Sequence, residues 1–303
     1  ERDLKLIHIA GTNGKGSTTS MITEILMGEG YKVGMYTSPF IEEFEERIQI
    51  NRNNIPKESL AILMDEIKVA VDKVIEAGYN HPTEFEIITV LMLLYFKKEN
   101  IDFGVIEVGL GGTLDSTNVI TPLVSVITNI GFDHTQFLGD TLPKIAAEKA
   151  GIIKSNVPVV IGEYSEETKP VFITKAKSEN APIYFAQDNP EVTYECALLG
   201  DYQMHNKKTV LQTIELLQSQ YNIEENHIKL GFKNVVQNTG LLGRWQILKQ
   251  KPFTVCDTAH NSHGLKIVLN QIQKHHFETL HIVLGVVNDK DLDSILPLFP
   301  KNA

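Results

Sequence analysis

Short runs rich in β-branched residues alternate with longer stretches in which apolar residues recur at helical spacing. The runs LIHIA, KVGMYT, FGVIEVG, LVSVITNI and VPVVIG are typical of buried strands. Stretches with helical spacing lie between them and begin at Ser17, Lys57, Thr83 and Leu142. Parallel strands need crossover helices, which cover both faces of the sheet. The alternation therefore predicts an α/β fold with a mostly parallel sheet and helices on both faces.

A second, smaller unit is predicted near the end of the chain. The stretch GFKNVVQNTGLLGR is rich in small and polar residues, and we interpret it as a linker. After it, FTVCDTA, SHGLKIVLNQIQKHH, HIVLGVV and DLDSILPLF are typical of strand, helix, strand and helix. We predict a larger domain at residues 1–240 and a smaller Rossmann-like α/β domain at residues 244–303, with the boundary at Thr239 to Gly243. Since both ends of the sequence fall close to predicted elements, we expect further chain beyond them.

Composition excludes several classes of protein. The 303 residues are 42% hydrophobic, and 28 Lys and Arg against 38 Asp and Glu give a net charge of -10. The basic residues are scattered, which argues against nucleic acid or an anionic membrane as a partner. The longest apolar run, at residues 87–96, is too short to span a bilayer. Cys196 and Cys256 are too few for a disulfide framework, so we expect a reducing cytoplasm.

The stretch GTNGKGST, residues 11–18, joins the first predicted strand to the first predicted helix. It departs from the phosphate-loop pattern G-x-x-x-x-G-K-[ST], because Ile9 occupies the first glycine position and Gly16 separates Lys15 from Ser17. Its glycines allow backbone N–H groups to point inward, its lysine supplies a positive charge, and the helix N-terminus favours an anion. We predict a P-loop-type phosphate site; a glycine-rich turn without a ligand is the alternative.

Polar residues follow several predicted strands. Ser38, Glu107, Asp133 and His134 come at or after strand ends, where open parallel sheets bind ligands. A carboxylate and a hydroxyl are ligands that magnesium prefers, so Glu107 and Ser38 are candidate metal ligands; a solvated carboxylate is the alternative for Glu107. From its spacing alone, Lys149 is interpreted as the solvated edge of an amphipathic helix.

The segment VCDTAHNSHG ends a strand with Asp257 and continues with His260, Asn261 and His263. Polar side chains on a loop held by rigid elements are typical of an active site. Arg244 follows the predicted linker, where its charge could reach a phosphate. The alternatives are structural histidines and a surface arginine.

Ten segments, spread from the first residues nearly to the last, form a more specific pattern. They are HIAGTNGKGST, YTSPF, ERIQIN, TEFEIITVLMLLYF, IEVGLGGTLDSTNVI, VITNIGFDHTQFLGDTLPKIAAEKAGIIK, LLGDYQMHN, LLGRWQIL, DTAHNSHG and GVVNDKD. In this order they resemble folylpolyglutamate synthase and the bifunctional dihydrofolate synthase, which belong to the superfamily of the muramyl ligases.

The resemblance implies a monomeric, ATP-dependent ligase that adds L-glutamate to the γ-carboxylate of a reduced folate. ATP phosphorylates the carboxylate to an acyl phosphate, which the amino group of glutamate then attacks. The bifunctional relatives also imply dihydropteroate as an acceptor. Each step brings anionic oxygens together, so two magnesium ions are expected.

The resemblance also assigns roles to individual positions. The residues that it places at ATP are Thr12, Asn13, Gly14, Lys15, Gly16, Ser17, Thr18, Asn206, Arg244, Asp257 and His260. It places Ser38 and Glu107 at a first magnesium, and Glu107, His134 and Lys149 at a second, with the lysine as its carbamate. Lys149, Asp257 and His260 are thereby the candidate catalytic residues, and Thr83, Phe85, Asp115 and Ser116 the candidate folate contacts.

Three positions depart from the pattern of the resembled family. Thr113 stands where an arginine or lysine is usual, Thr258 where a glycine is usual, and Ser262 where a proline is usual. The missing basic residue affects the expected substrate contacts near Asp115, whereas Asp257 and His260 stay in register.

Three other functions fit parts of the pattern. A muramyl ligase would need a uridine-nucleotide domain before the loop, and TSPF, ERIQIN and FDHTQFLGD match the folate branch instead. A P-loop kinase or switch NTPase would not need the second α/β unit and would have the usual loop spacing. A non-catalytic relative is disfavoured by the set Lys15, Glu107, His134 and Lys149.

Overall fold

The computed structural model describes residues 3–287, 292–301 and 303. Eight strands form one sheet, and they are β1 Leu6–Ala10, β2 Val33–Tyr36, β3 Ile48–Ile50, β4 Asn53–Asn54, β5 Phe103–Glu107, β6 Val124–Ile127, β7 Val159–Ile161 and β8 Ile183–Phe185. Their order in the sheet is β4-β3-β2-β5-β1-β6-β7-β8. All neighbours in it are parallel except the pairs β2–β3 and β3–β4, which are antiparallel.

Helices follow most of these strands. They are α1 Lys15–Gly28, α2 Lys57–Glu76, α3 Glu84–Lys98, α4 Thr135–Leu138, α5 Leu142–Ala150, α6 Lys169–Ser178, α7 Gln203–Gln218 and α8 Glu225–Thr239. A hairpin of β9 Gln246–Gln250 and β10 Phe253–Cys256 comes next, and α9 Ser262–Ile272 and α10 Leu292–Ile295 complete the chain. Single 3-10 turns lie at Phe44–Arg47, Ser116–Val119, Ala186–Asp188 and Leu296–Leu298.

The large sheet has a hydrophobic core on each face. On one face, Ile7 and Ile9 of β1 pack with buried residues of α1, α7 and α8. On the other, Leu6 joins a cluster with α2 and α3, and Ala10 joins a cluster with α5 and α6. Because side chains of a strand alternate between faces, an almost continuously apolar strand such as LIHIA is buried on both. The predicted fold, a mostly parallel sheet covered on both faces, is confirmed.

The predicted linker is wrong over most of its length, because residues 231–239 belong to helix α8. Its buried residues Ile228, Phe232 and Val235 recur at helical spacing and face the core. Gly231 lets α8 approach α1 closely: a Cβ there would lie 2.4 Å from Cγ1 of Ile25. The small and polar residues that suggested a linker are therefore the close-contact and solvent-facing positions of a helix.

A second local difference lies in the C-terminal part. The predicted strand HIVLGVV, residues 281–287, is not a strand, and within the described ranges no strand lies alongside it. A parallel strand forms only against a neighbour, and β10 pairs antiparallel with β9 instead. Residues 288–291 lie outside the described residues; they are the whole NDKD end of GVVNDKD and include the first residue of the predicted helix DLDSILPLF.

Two further findings concern classes of protein that the composition addressed. Within the described part of the chain, no helix combines the length and apolar character needed to cross a membrane. Cys196 and Cys256 are both free thiols.

Candidate active site

The phosphate-loop candidate connects β1 to α1 at the carboxyl edge of the sheet. Gly14 caps α1 with φ 83°, a left-handed conformation that favours glycine, and a Cβ there would lie 2.3 Å from Oδ1 of Asn206. Along the described chain, no side chain caps this helix end. Its first N–H groups are therefore free to bind an anion, whose charge the helix dipole favours.

The loop is fixed by contacts to the segment that follows β6. Asn13 N donates to Oδ1 of Asn129 (2.9 Å), and Thr12 Oγ1 donates to the Gly131 carbonyl (3.1 Å). Lys15 folds back, and its Nζ donates to the carbonyls of Gly11 (3.0 Å) and Thr12 (3.3 Å). The lysine charge thus lies over the loop.

The two hydroxyl side chains in the first turn of α1 lie in different surroundings. Ser17 Oγ accepts from Nε2 of Gln203 (3.0 Å), whose Oε1 in turn accepts from Nδ2 of Asn206 (2.8 Å). Thr18 is fully buried, and its Oγ1 has no hydrogen-bond partner among the described residues. The side chain of Thr18 consequently faces the interior rather than the cavity.

A cavity of about 1210 Å³ opens above the loop, between the strand ends and the C-terminal part of the chain. Most of the predicted site residues line it. These are Thr12, Asn13, Gly14, Lys15, Gly16, Ser17, Ser38, Glu107, His134, Lys149, Asn206, Arg244, Asp257 and His260. Thr18, Thr83, Phe85, Asp115 and Ser116 do not line this cavity.

Glu107, the last residue of β5, is only 5% exposed. Burial raises the pKa of its carboxyl group to about 7, against the opposing effects of the Lys15 and Arg244 charges and a hydrogen bond from the Ser38 backbone N–H. A Cβ on Gly16 would lie 3.7 Å from Oε2 of Glu107 and 3.5 Å from Nη2 of Arg244. The carboxylate and the guanidinium thus both come close to the loop at Gly16.

Lys149 on α5 is 4% exposed, so the prediction of a solvated helix edge is wrong. Burial, followed by the nearby Lys15 charge, lowers the pKa of its ammonium group to about 7, although Asp133, Asp115 and Glu148 act in the opposite direction. The helix turns this side chain toward the cavity because Ile145, Ala146 and Ala150 bury the neighbouring positions. A large fraction of Lys149 is consequently a neutral amine at neutral pH.

The C-terminal loop reaches the phosphate loop through a network of polar contacts. Asn13 and Asn261 exchange amide hydrogen bonds of 3.2 and 2.9 Å. Asp133 Oδ2 accepts from Nδ2 of Asn261 and contacts Nε2 of His260, both at 3.2 Å. The sequence places Asp133 at a strand end but assigns it no role. Its position directly before His134 is the sequence feature that indicates a place in the site.

Asp257 and Arg244 are held within the same loop region. Asp257 Oδ2 accepts from Tyr202 Oη and from Trp245 N, each at 2.7 Å. Arg244 Nη1 donates to the Gly243 carbonyl (3.1 Å) and to the hydroxyl of Thr258. Tyr202 was missed by the sequence reasoning, because a tyrosine in DYQMHN has no distinctive spacing. Its contact with Asp257 links the start of α7 to the C-terminal loop.

The candidate folate residues form a second group beside the cavity. Thr83 caps α3, and its own backbone N–H donates to the carboxylate of Glu86 (2.6 Å). Phe85 and Asp115 meet at Gly109, where a Cβ would lie 2.5 Å from Cζ of Phe85 and 3.1 Å from Oδ2 of Asp115. Ser116 begins the 3-10 turn that follows. Since Gly109 lines the cavity, the aromatic ring and the carboxylate lie at its edge.

The cavity contains side chains that could bind a metal ion. Among the described residues, no three His, Cys, Asp or Glu side chains are grouped closely enough to hold an ion by themselves. Magnesium, however, usually binds one or two protein oxygens and completes its shell with water and phosphate. The buried Glu107 carboxylate and the Ser38 hydroxyl, beside the phosphate loop, fit that pattern.

Comparison with known proteins agrees with this geometry. The Mur ligase middle domain family matches residues 9–248. The folylpolyglutamate synthase of Lacticaseibacillus casei is 34% identical, over 95% of this chain and 72% of its own length. The dihydrofolate synthase/folylpolyglutamate synthase of Bacillus subtilis is 33% identical, over 98% and 74%. A solved FPGS complex with AMPPCP and folate superposes with a TM-score of 0.89 at 31% identity, covering 98% of this chain and 79% of that one.

Glu107→Gln should change the pH dependence of stability. The pKa of Glu107 is higher in the folded protein than its unfolded value of 4.5. Its contribution to the free energy of unfolding is therefore fully favourable below pH 4.5 and is lost as pH rises through about 7. Glutamine cannot ionise. The measurement is urea unfolding without nucleotide or divalent ions. Between pH 5 and pH 8, the free energy of unfolding of the variant should rise by up to about 3 kcal/mol relative to that of wild type.

The matched control is Glu58→Gln, which changes an exposed carboxylate on α2. It should leave the pH dependence almost unchanged. Parallel stability curves for Glu107→Gln and wild type would contradict the assigned environment of Glu107.

Proposed function

The chain belongs to the folylpolyglutamate synthase and dihydrofolate synthase family of Mur-type ligases, and from this premise we propose how its cavity joins glutamate to a folate. The enzyme is an ATP-dependent ligase whose substrates are ATP, L-glutamate and a reduced folate. The observation that supports our account most strongly is the convergence of the phosphate loop, Glu107, Lys149 and Arg244 on one cavity.

The first chemical step is transfer of the terminal phosphoryl group of ATP. A γ-carboxylate oxygen of the folate attacks the phosphorus atom, and the bond to ADP breaks. The free N–H groups at the start of α1, together with Lys15 and Arg244, are placed to stabilise the negative charge of the phosphates. Asn206, Tyr202 and Asp257 lie on the side of the loop where the rest of the nucleotide would bind.

The second step is attack by the amino group of glutamate on the acyl carbon. The C–N bond forms, the C–O bond to phosphate breaks, and the amine proton is released with the phosphate to solvent. His260 and Asp133 face each other at 3.2 Å on the cavity wall. This position suits them to orient the polar groups of the reacting amine, in keeping with the predicted catalytic role of His260.

Magnesium would be held first by Ser38 and Glu107. When bound, it supplies positive charge that neutralises the phosphate oxygens. The raised pKa of Glu107 supports the assignment, because a carboxyl group buried at such cost is stabilised as the anion by a cation. A second magnesium would be held by Glu107, His134 and carbamylated Lys149.

The carbamate of Lys149 requires a neutral amine. The nitrogen attacks carbon dioxide, an N–C bond forms, and one proton passes to water, which leaves an anionic oxygen donor. The lowered pKa of Lys149 supplies the neutral amine at physiological pH. Ile145 and Ala146 are buried on the same helix, and these surroundings limit the access of water that would hydrolyse the carbamate.

We also propose that residues 1–240 and 244–303 form two units with the nucleotide between them. Helix α8 ends at Thr239, Gly240 follows in a left-handed conformation, and β9 starts a separate sheet. Asn13 and Asn261 provide a direct contact across the cleft. Closure of the two units would then assemble the site. A reducing compartment stays a prediction.

The function is tested by ADP release with tetrahydrofolate, methylene-tetrahydrofolate and dihydropteroate, each with and without glutamate. We expect ADP release to require glutamate together with at least one reduced folate. A rate with dihydropteroate would add dihydrofolate synthase activity. ATP turnover that depends on UDP-muramyl precursors, or on neither acceptor, would contradict the proposal.

Lys149→Ala should lower kcat by about 100-fold or more, since an anionic group beside the reacting phosphate is lost. A short carboxylate such as acetate should restore part of the activity, and 13C-bicarbonate should give a carbamate NMR signal in wild type only. Lys144→Ala, on the exposed face of the same helix, is the control and should retain activity. Full activity of Lys149→Ala without bicarbonate would exclude the carbamate.

A further inference from the structure

His8 lies in the middle of β1, the central strand of the sheet, and is fully buried. It is in register with Ile106 of β5 and Ser125 of β6, so strands flank it on both sides. An imidazole at such a position costs free energy unless it makes hydrogen bonds, and the neighbouring positions in β1 are isoleucines. Neither the fold nor the proposed chemistry accounts for a histidine at this position.

The imidazole starts a chain of hydrogen bonds that ends at Asp115. His8 Nε2 lies 2.8 Å from Oγ1 of Thr117, and that hydroxyl donates to Oδ1 of Asp115. The single hydroxyl proton points to the carboxylate, which can only accept, so Thr117 Oγ1 must accept from His8 Nε2–H. His8 is therefore the tautomer with its proton on Nε2.

The surroundings of His8 keep this tautomer neutral. Burial, together with the charge of Lys154, lowers the pKa of His8 to about 3. Its Nδ1 has no hydrogen-bond partner among the described residues. A histidine that served packing alone would gain nothing from this unpaired nitrogen, whereas the proton on Nε2 fixes the direction of the Thr117 hydroxyl.

Asp115 is held so that one acceptor position stays open. Thr117 N and Thr117 Oγ1 donate to Oδ1, and Leu110 N donates to Oδ2 at 2.8 Å. An ionised carboxylate accepts about four hydrogen bonds, so one position on Oδ2 remains. Oδ2 is the atom that approaches Gly109, which the Phe85 ring also approaches. A flat heterocycle that stacks on Phe85 could present an N–H group there.

We propose that His8 is a positioning residue for the folate substrate: through Thr117 it orients the Asp115 carboxylate toward the N–H groups of the heterocycle. The inference rests on the proposed function, because it assumes that Asp115 contacts the folate. It adds to that function a residue on the interior strand that precedes the phosphate loop. The same strand thus supports the folate site through His8 and the ATP site through its carboxyl end.

The test compares variants that keep or remove the donor. His8→Leu and Thr117→Val should each raise KM for the folate by about 10-fold, while KM for ATP should change less than about 2-fold. His8→Gln keeps an N–H group at a similar distance from the backbone. It should return KM for the folate most of the way to the wild-type value. A merely structural role would instead affect both KM values, or neither.

Ser125→Ala is the matched control, since Ser125 lies beside His8 on β6 and its hydroxyl donates only to the Ile152 carbonyl (2.8 Å). It should leave both KM values unchanged. The 15N chemical shifts of His8 should show protonated Nε2 and bare Nδ1, which tests the chain in the wild-type protein even if His8→Leu fails to fold. Protonated Nδ1 would overturn the inference.

Asp115→Asn separates this inference from the proposed function. If Asp115→Asn leaves KM for the folate unchanged, Asp115 does not contact the folate, and the proposed role of His8 is overturned as well. If it raises the folate KM while His8→Leu and Thr117→Val do not, the folate position stands and only the positioning role is overturned.

Discussion

The buried carboxylate of Glu107 is the constraint on which the rest of the cavity depends. A parallel sheet brings Glu107 to the end of β5, next to the phosphate loop after β1, and its burial raises its pKa to about 7. Phosphates add further negative charge at the same place. The site can operate only if cations collect there, and Lys15 and Arg244 supply two near Glu107. The other arrangements of the cavity follow from this need.

Lys149 is subject to the same cost of burying a charge, but its ionised form is a cation rather than an anion. A buried ammonium group beside Lys15 is disfavoured, and its pKa falls to about 7. The neutral amine can become an anion by reaction with carbon dioxide, which would convert a repelled cation into an oxygen donor for a metal. One side chain could in this way change the sign of its charge without any change in the fold. The spacing of α5 gave no sign of this, because a lysine at a helix edge has the same pattern whether solvent or a cavity faces it.

Much of the architecture could be predicted because burial on two faces leaves a strong pattern. The five predicted strands, and the helices between them, follow from β-branched runs and helical spacing. Helix α8 could not be recognised as easily, since Gly231 and the polar residues around it reflect close packing on α1 rather than a flexible linker. Residues 281–287 have strand composition but no neighbouring strand among the described residues. The loop and the polar residues at the strand ends were predictable, whereas the contacts Asn13–Asn261 and His8–Thr117 depend on tertiary structure alone.

The central claim is that the folate carboxylate is activated as an acyl phosphate. The most direct measurement is the fate of 18O placed in the γ-carboxylate of the folate during ATP-dependent addition of glutamate. Attack of the amine on the acyl carbon leaves the bridging carboxylate oxygen on the departing phosphate. The account predicts one 18O atom in the inorganic phosphate for each glutamate added. Phosphate free of 18O, with normal formation of the glutamylated product, would contradict it.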